Sequence, residues 1–560
     1  MTEIHRENVK KKVPVVAKMM ALVIAVVMCI GMSMVVFADT AVTTPENGFT
    51  VTITPNNQDQ GTHTYEAYQI FAGTLAKDDN NKYILSNITW GTGITSVGQT
   101  ALGDAAAYAK TLSGYTDNSA KALAAADTLS EYLNTTSGTY ADGKITGLQP
   151  GYYLIKDTSS SPTGDDPKAQ TRFILQVVAD QTVTVKSSVP TVEKKVKEKN
   201  DTTGQETSWQ DAADYDINDV IPYQITATIG DGIDNFEKYS LEFDDDMSKG
   251  LTLQEGWTIK IGDTDITSAF IKGTGTSSYE GGTMHTWRIV DLKSVEGITL
   301  TSGTKVVLSY TAKLNENAVI GSEGNPNKTV LKYDNNPNNC GNGTPGGTTP
   351  EDKVIVFTYE IKALKVQATS DAAITAEAYA TLSKTEKADY VKLADGTYQK
   401  TTALKGAGFT LYKKVGDNWE PVGSEITGVT TFEFKGTDAG EYKLVETTVP
   451  AGFTKAADIE ITVAATYDTE SADPKLKSLT VTPETAGFTV AVTETKNDQN
   501  EVTEIVTNGE ITGKILNQKG SVLPSTGGRG TTMIYIIGAA LVIMAGVVLA
   551  MRKKMSSKES

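Results

Sequence analysis

The stretch KVVLSYTAKL at residues 305–314 has an apolar side chain at every second position, and from Leu308 onward polar side chains stand between them. A period of two is typical of a β-strand with one buried face. The pattern recurs in FTVTITP (49–55), RFILQVV (172–178), QTVTVK (181–186), YQITATI (223–229) and TFEFKG (431–436). Turn residues separate these stretches. The sequence therefore predicts an all-β chain of tandem β-sandwich domains.

One helical stretch interrupts the alternation between about Gly103 and Leu133. Its segments GDAAAYAK and SAKALAAADTLSEYL are rich in alanine and other strong helix formers. We expect a helical insert inside the first of the sandwich domains.

The N-terminal region is predicted to be an export signal. Residues 1–38 combine a basic stretch with an apolar core from Met19 to about Phe37. Ala38 and Val36 supply small residues at a cleavage site, which is the layout of a secretory signal peptide. The alternative is an uncleaved anchor. We expect the mature chain to start near Asp39 outside the cell.

The C-terminal region is predicted to span a membrane. About 20 apolar residues run from Thr532 to Met551, which is enough to cross a bilayer. The basic residues that follow, 552–554, would keep the tail in the cytoplasm. A single C-terminal transmembrane helix would hold the precursor at the membrane.

The composition and net charge of the chain limit the classes of function that it can have. The net charge is −17, and it becomes −24 once residues 1–38 and 527–560, with ten basic and three acidic residues, are removed. This balance argues against a nucleic-acid partner and for a self-repelling surface. Cys340 is alone after Cys29 leaves with the signal peptide, so no internal disulfide is expected. Motifs of nucleotide, zinc or hydrolase sites do not occur, and no enzyme, cofactor or metal site is expected.

A pentapeptide stands just before the apolar span: Leu523, Pro524, Ser525, Thr526 and Gly527. With the span and the basic tail behind it, it resembles the LPxTG sorting signal of sortase substrates. Proline fixes a kink and glycine lets the enzyme approach the scissile bond. The resemblance implies that a sortase cysteine attacks the carbonyl between threonine and glycine and passes the acyl group to an amine.

Two segments near the C-terminus, LKGAGFTLYKK (404–414) and EYKLVETTVPAGF (441–453), resemble the Cna-B type immunoglobulin-like domains of Gram-positive pilins. The resemblance implies an all-β chain of tandem immunoglobulin-like β-sandwich domains. The segment at 441–453 is similar to their E-box, with Glu446 as the catalytic acid. The resemblance implies an isopeptide bond between Lys365 and Asn517. Lys362 is the competing nucleophile, but alternation puts it on the opposite strand face. Residues 367–400 form a long insertion that departs from the family pattern.

The chemistry of such a bond follows from burial. An ammonium group is not a nucleophile, but loss of hydration in an apolar core lowers the pKa of a lysine. Burial also raises the pKa of a carboxyl group, and a neutral acid can donate a hydrogen bond to the asparagine amide. The neutral amine then attacks the amide carbon, and ammonia leaves. Proximity inside the packed core supplies most of the rate.

Another set of segments resembles the Cna-A type middle domain of such pilins: SVPTVEKKVKEKND (188–201), LEFDDDMSKGLTL (241–253) and NKTVLKYDNNPNN (327–339). The resemblance implies a bond between Lys194 and Asn327 with Asp245 as the acid. Which lysine, aspartate and asparagine of these segments form the bond stays open. The alternatives are Lys195, Asp244, Asp246, Asn335 and Asn336, and the three aspartates could instead form a polar turn or a weak cation site. Alternation with Val192 and Val196 favours Lys194.

The sequence of the first domain indicates a cross-link less clearly. GLQPGYYLIKDT (147–158) resembles a degenerate E-box with Asp157 in place of glutamate, and no convincing lysine–asparagine pair accompanies it. The acyl acceptor in the resembled family is a lysine at the end of this domain. Lys186 is the best candidate, with Lys197 and Lys199 as alternatives.

These observations divide the chain into a signal peptide (1–38), an N-terminal Cna-B-like pilin domain (39–186), a middle domain (187–352), a C-terminal domain (353–520) and a sorting segment (521–560). We expect the shaft subunit of a covalent pilus that serves adhesion and colonisation, anchored to the cell wall. Expected partners are pilin-class and housekeeping sortases, other copies of the chain, minor or tip pilins and peptidoglycan; a host ligand is left open. The alternatives are a singly anchored adhesin and a surface enzyme.

Overall fold

The computed structural model describes residues 42–556 except for 57–58, 60, 79–81, 116–119, 161–167, 186–188, 338–344, 370–371, 484–486, 497–501 and 521–528. It is built from six β-sheets, paired face to face in three successive segments. The predicted all-β architecture is confirmed. The sheets change between the strands that end at Thr184 and begin at Thr191, and again at Thr358. The change at Thr358 comes six residues after the predicted limit of the middle domain, because the strand Asp352–Phe357 still belongs to a sheet of the middle segment.

The N-terminal segment, residues 42–185, holds two four-stranded sheets, β4-β5-β1-β8 and β3-β2-β6-β7. Its helices cover the sheet β3-β2-β6-β7, and the side chains of Thr95 and Asp104 cap the first two of them. Strands are β1 (Phe49–Thr54), β2 (Tyr65–Lys77), β3 (Tyr83–Trp90), β4 (Thr139–Ala141), β5 (Lys144–Leu148), β6 (Gly151–Asp157), β7 (Arg172–Val177) and β8 (Gln181–Thr184); helices are α1 (Ser96–Leu102), α2 (Ala105–Leu112) and α3 (Ala120–Ser130). The predicted helical insert is therefore three short helices.

The middle segment, residues 189–357, packs the sheet β10-β21-β19-β12-β17-β16 against β15-β14-β18-β11-β9; β20 pairs with β19 and β13 with β18. Its strands are β9 (Thr191–Val196), β10 (Ala212–Asp214), β11 (Val220–Thr228), β12 (Leu241–Met247), β13 (Leu251–Leu253), β14 (Thr258–Ile261), β15 (Thr264–Asp265), β16 (Ile271–Gly275), β17 (Thr283–Ile289), β18 (Lys305–Leu314), β19 (Asn325–Tyr333), β20 (Gly347–Thr348) and β21 (Asp352–Phe357). Short 3₁₀ turns lie at Ile233–Asn235, Thr267–Ala269 and Leu292–Ser294.

The C-terminal segment, residues 359–520, packs β23-β24-β22-β33-β32 against β26-β25-β29-β30-β31; β28 pairs with β22 and β27 with β25. Strands are β22 (Tyr359–Ala368), β23 (Tyr390–Lys392), β24 (Tyr398–Ala403), β25 (Gly408–Val415), β26 (Asn418–Pro421), β27 (Ile426–Thr427), β28 (Thr431–Thr437), β29 (Gly440–Thr448), β30 (Ile459–Tyr467), β31 (Leu476–Thr482), β32 (Phe488–Lys496) and β33 (Val502–Asn517). The insertion after β22 forms α4 (Ala376–Ala380), α5 (Lys384–Lys387), β23 and β24.

A last helix, α6 (Arg529–Ser556), follows the sorting pentapeptide. Over the residues that the structure describes, no helix has the length and apolar character needed to cross a membrane. The span proposed for residues 532–551 stays a prediction.

Candidate lysine–asparagine cross-link sites

The C-terminal cluster consists of Lys365, Glu446 and Asn517. Lys365 lies on β22 and Asn517 on β33, its parallel neighbour, where Gln367 is opposite Asn517. Since side chains of a strand alternate between its faces, Lys365 and Asn517 point to the same side of the sheet. Glu446 faces them from β29 in the opposite sheet. At most 2% of any of the three is exposed.

The three side chains are in direct contact. Lys365 Nζ donates to Asn517 Oδ1 and lies 3.0 Å from Glu446 Oε1. Asn517 Nδ2 donates to the same Glu446 Oε1 at 2.9 Å, and Ala456 N donates to Glu446 Oε2 at 2.6 Å. Burial lowers the pKa of Lys365, although Glu446 partly opposes this. One carboxylate oxygen thus contacts both the amine and the amide nitrogen.

Lys362 lies on the other face of β22, as the alternation predicts. It is ion-paired with Glu360 and Glu510, each at 3.0 Å. It does not reach the C-terminal cluster.

The middle cluster consists of Lys194, Asp245 and Asn327, on β9, β12 and β19. All three side chains are completely buried. Strands β12 and β19 are neighbours, with Met247 opposite Asn327, whereas β9 belongs to the facing sheet. A bond between Lys194 and Asn327 would therefore tie the two sheets of the sandwich together.

Lys194 Nζ makes two polar contacts. It donates to Asp245 Oδ1 and, at 2.8 Å, to the hydroxyl of Tyr310. The same hydroxyl accepts a hydrogen bond from Asn327 Nδ2 at 2.9 Å. Burial lowers the pKa of Lys194, against the opposing attraction of Asp245. Lysine and asparagine are thus linked through a tyrosine that sequence reasoning did not single out.

Aromatic rings surround the middle cluster. Tyr310 stacks on Tyr223 with 5.3 Å between ring centroids and on Trp287 with 5.7 Å. Lys194 Nζ lies 5.5 Å from the centroid of Tyr223 and 5.4 Å from that of Tyr310. Alternation in KVVLSYTAKL could have placed Tyr310 on the buried face. It could not have placed it beside Lys194, because β11 separates β18 from β9.

The competing residues of the middle segment point elsewhere. Lys195 Nζ pairs with Asp211 at 2.7 Å, and Asp244 Oδ2 pairs with Lys332 at 2.6 Å. Asp246 accepts hydrogen bonds from Ser278. The three consecutive aspartates lie within strand β12, so the alternative of a polar turn is wrong.

Asn335 lies outside the middle cluster. It follows β19, and its carbonyl accepts a hydrogen bond from Gln170 N of the N-terminal segment at 2.6 Å. Asn336 follows it in the same stretch after the end of β19.

In the N-terminal segment, Asp157 pairs with a histidine. Its Oδ2 lies 2.6 Å from His63 Nδ1, and Asp59 Oδ1 lies 3.0 Å from His63 Nε2. Burial lowers the pKa of His63, but hydrogen bonds to Asp157 and Asp59 outweigh it and raise the pKa to about 9. Near this group, the buried Lys168 donates to Thr62 O at 2.9 Å. The cluster ties the loop before β2 to the end of β6.

The remaining predicted residues, Lys186 and Leu523 to Gly527, lie outside the described residues. Their predicted roles in polymerisation rest on the sequence.

A junction cage joins the middle and C-terminal segments. Lys413 Nζ of β25 lies 2.8 Å from Asp201, 2.6 Å from Asp216 and 2.7 Å from Asp438. These acids and Asp219 are close enough together to suit a cation, and the lysine ammonium supplies the positive charge. Asp438 N also donates to Asp216 Oδ1 at 2.9 Å. The cage thus holds the loop after β9 against the C-terminal sandwich.

Acids around the cage make the junction sensitive to pH. Burial and the neighbouring Asp214 raise the pKa of Glu198 to about 7, and burial raises that of Asp219 to about 6. The folded chain therefore keeps a proton on Glu198 between about pH 4.3 and 7, where the unfolded chain has lost it. Stability must fall as the pH rises through that window.

We expect Glu198→Gln to remove this loss. After discounting for solvent around a half-buried group, the variant should exceed the parent by about 1–2 kcal/mol in free energy of unfolding at pH 8. The two should be equal near pH 4. Urea denaturation at both pH values measures the difference. Glu206→Gln is the control, since Glu206 is exposed beside Lys197; a Glu198→Gln gain that does not depend on pH would contradict the assignment.

Comparisons with known proteins match three parts of the chain. The family model of a Gram-positive pilin backbone subunit 2, Cna-B-like domain matches residues 217–337. The model of a prealbumin-like fold domain matches residues 383–475, and that of the LPXTG cell wall anchor motif matches residues 515–558. The first description differs from the Cna-A type that the sequence suggested for the middle segment.

Individual proteins are similar over most of the chain. The trypsin-resistant surface T6 protein of Streptococcus pyogenes serotype M6 is 25% identical over 403 residues, which cover 67% of this chain and 71% of that protein. The structure of the T6 backbone pilin covers 86% of this chain and 100% of its own, at 17% identity and a TM-score of 0.46. The major pilin SpaD of Corynebacterium diphtheriae covers 84% and 97%, at 16% identity and a TM-score of 0.40.

The anchor motif places the chain at the cell surface, attached to the cell wall. Pilins of this kind are structural proteins and are not known as enzymes, which fits the expectation of a non-enzyme. In its matches to a pilin backbone domain, to a prealbumin-like domain and to the LPXTG anchor motif, and in its likeness to the T6 protein, the chain is similar to the backbone subunits of Gram-positive pili.

Proposed function

We propose that this chain is polymerised by a sortase into the shaft of a pilus, each copy joined through Thr526 to a lysine of the next. The sorting pentapeptide inside the matched anchor supports this. Lys186 is the proposed acceptor, because it ends the N-terminal segment just after β8. A housekeeping sortase would then join the finished fibre to peptidoglycan. Minor pilins and a host ligand are further possible partners.

We further propose that two internal isopeptide bonds stiffen each copy, Lys365–Asn517 and Lys194–Asn327, with Glu446 and Asp245 as the assisting acids. In each bond, Nζ attacks the amide carbon and ammonia leaves. The observation that carries this proposal is that a lysine, an acid and an asparagine share one dry pocket in each of two sandwiches. Burying a lysine, an acid or an asparagine amide without a polar partner is strongly unfavourable. The presence of all three in one buried pocket therefore calls for an explanation.

Covalent bonds at these places suit a fibre under tension. In the C-terminal segment the bond would join the first strand to the last, which lie side by side and parallel. Pulling on the two ends of that segment would then load the amide bond directly rather than the hydrogen bonds of the sheet.

A singly anchored adhesin is the other candidate, because the same anchor would serve it. Lys186→Ala separates the two. In the native host, we expect the parent to give a ladder of high-mass species on SDS gels, and the variant to lose it while the monomer stays on the surface. Lys197→Ala and Lys199→Ala, nearby lysines on the middle segment, are the matched controls and should keep the ladder. A parent without a ladder would favour the adhesin, and a ladder in Lys186→Ala would exclude this acceptor.

A further inference from the structure

Tyr310 lies between the two nitrogens that must exchange a proton in the middle cluster. Its hydroxyl oxygen is 2.8 Å from Lys194 Nζ and 2.9 Å from Asn327 Nδ2. The strand register explains the reach: Lys194 is opposite Ile225 on β11, and Tyr310 is opposite Tyr223. The long lysine side chain extends past Tyr223 to the hydroxyl.

Amide exchange requires that proton transfer. Attack by a neutral amine leaves two hydrogens on Nζ, whereas the product amide holds one. The leaving nitrogen holds two and must gain a third to depart as ammonia. A hydroxyl that contacts both nitrogens can accept one proton and donate another.

Asp245 is not placed to do this alone. Its Oδ1 contacts Lys194, but Asp245 Oδ2 and Asn327 Oδ1 have no hydrogen-bond partner among the described residues. The C-terminal cluster differs, because there Glu446 Oε1 contacts Lys365 Nζ at 3.0 Å and Asn517 Nδ2 at 2.9 Å. The position that one carboxylate oxygen fills in the C-terminal cluster is filled by a tyrosine hydroxyl in the middle cluster.

We propose that Tyr310 is a catalytic residue of the middle cross-link, relaying a proton from Lys194 Nζ to Asn327 Nδ2. This rests on the proposed function, in which those two residues form the bond.

The steps balance as follows. Lys194 passes a proton to Asp245 Oδ1, and the neutral Nζ attacks Asn327 Cγ while the carbonyl electron pair moves to Oδ1. Nζ then gives a proton to the Tyr310 oxygen as the Tyr310 hydroxyl proton moves to Nδ2. The Cγ–Nδ2 bond breaks, the carbonyl reforms, and ammonia leaves with the proton held by Asp245, as ammonium.

The electrostatics of the pocket require that both transfers at Tyr310 occur together. Burial holds the pKa of Tyr310 well above its usual value, so a tyrosinate intermediate is strongly disfavoured. The ring is fixed by the stacks on Tyr223 and Trp287. The hydroxyl is thus held in position for a concerted relay.

The test compares Tyr310→Phe with Tyr223→Phe. Each removes one buried hydroxyl and keeps the ring stack, but the Tyr223 hydroxyl has no hydrogen-bond partner among the described residues. The full-length chain is synthesised in a cell-free system and quenched at intervals, and the peptide joining residues 194 and 327 is quantified by mass spectrometry. We expect Tyr310→Phe to form this bond at least about tenfold more slowly than Tyr223→Phe. The Lys365–Asn517 bond of the same molecule should form at the parent rate.

The outcomes are distinct. Equal rates of the middle bond in the two variants overturn the relay and leave the bond intact. Absence of the bond in the parent overturns the proposed function at this site instead. If Tyr310→Phe fails to fold, the parent in D₂O decides: a concerted transfer of two protons requires a slower middle bond, and an unchanged rate excludes the relay.

Discussion

Lys194→Ala should lose one ammonia fewer than the parent, each counted against the mass of its own sequence, and should be much easier to unfold. A cross-link between residues 194 and 327 closes a loop of about 130 residues, and chain entropy alone gives it about 5 kcal/mol of stability. The variant also leaves Asp245 without its lysine at complete burial, which adds about 1–3 kcal/mol. Intact mass and chemical denaturation measure the two effects.

Lys195→Ala is the matched control for this variant. The neighbouring lysine points to the opposite face of β9 and pairs with Asp211 at 2.7 Å. We expect no change in ammonia loss and a loss of about 1–3 kcal/mol in free energy of unfolding, since the buried Asp211 loses its lysine but keeps the hydrogen bond from Ser471 N. If the parent and Lys194→Ala lose the same number of ammonias, the middle bond does not exist.

Lys365→Ala should have a similar effect on the C-terminal segment. The loop that it opens spans 152 residues in sequence separation. The same entropy argument gives about 5 kcal/mol, but here the acid keeps two donors, Asn517 Nδ2 and Ala456 N. We therefore expect a smaller additional loss than for Lys194→Ala. Protease digestion should release the last strand β33 from the variant and not from the parent.

Lys362→Ala is the matched control, because it removes one positive charge from the same strand without touching the C-terminal cluster. It lies three residues earlier on β22, with its ion pairs to Glu360 and Glu510 at the edge of the core. It should lose as many ammonias as the parent, each counted against the mass of its own sequence, and the free energy of unfolding should change by about 1 kcal/mol or less. A cross-linked peptide containing Lys362 would reverse the assignment of the nucleophile.

Much of the candidate chemistry could be predicted because strands alternate. In EIKALKVQA the period of two separates Lys362 from Lys365, and in TVEKKV it separates Lys195 from Lys194. Burial follows the same separation in the structure. Glu446 was found through the E-box motif, and Asp245 was one of three adjacent choices.

The residues that sequence reasoning missed enter from strands remote in the chain. Tyr310 reaches Lys194 from β18, two strands away in the sheet, and Lys413 meets Asp201 and Asp216 across two segments. Neither pairing leaves a local pattern. The predicted end of the middle domain also fell before β21, whose pairing with β19 assigns it to the middle sheet.

The sequence alone indicated which positions face the core, that the chain is exported and anchored to the cell wall, and which lysines could lose their hydration on burial. These properties depend on local periodicity and on short linear signals. Only the tertiary structure decided which buried acid, amide and hydroxyl meet each buried amine. Strand order and register are set by contacts between distant residues, and a shift of one position would turn every side chain of a strand to the other face.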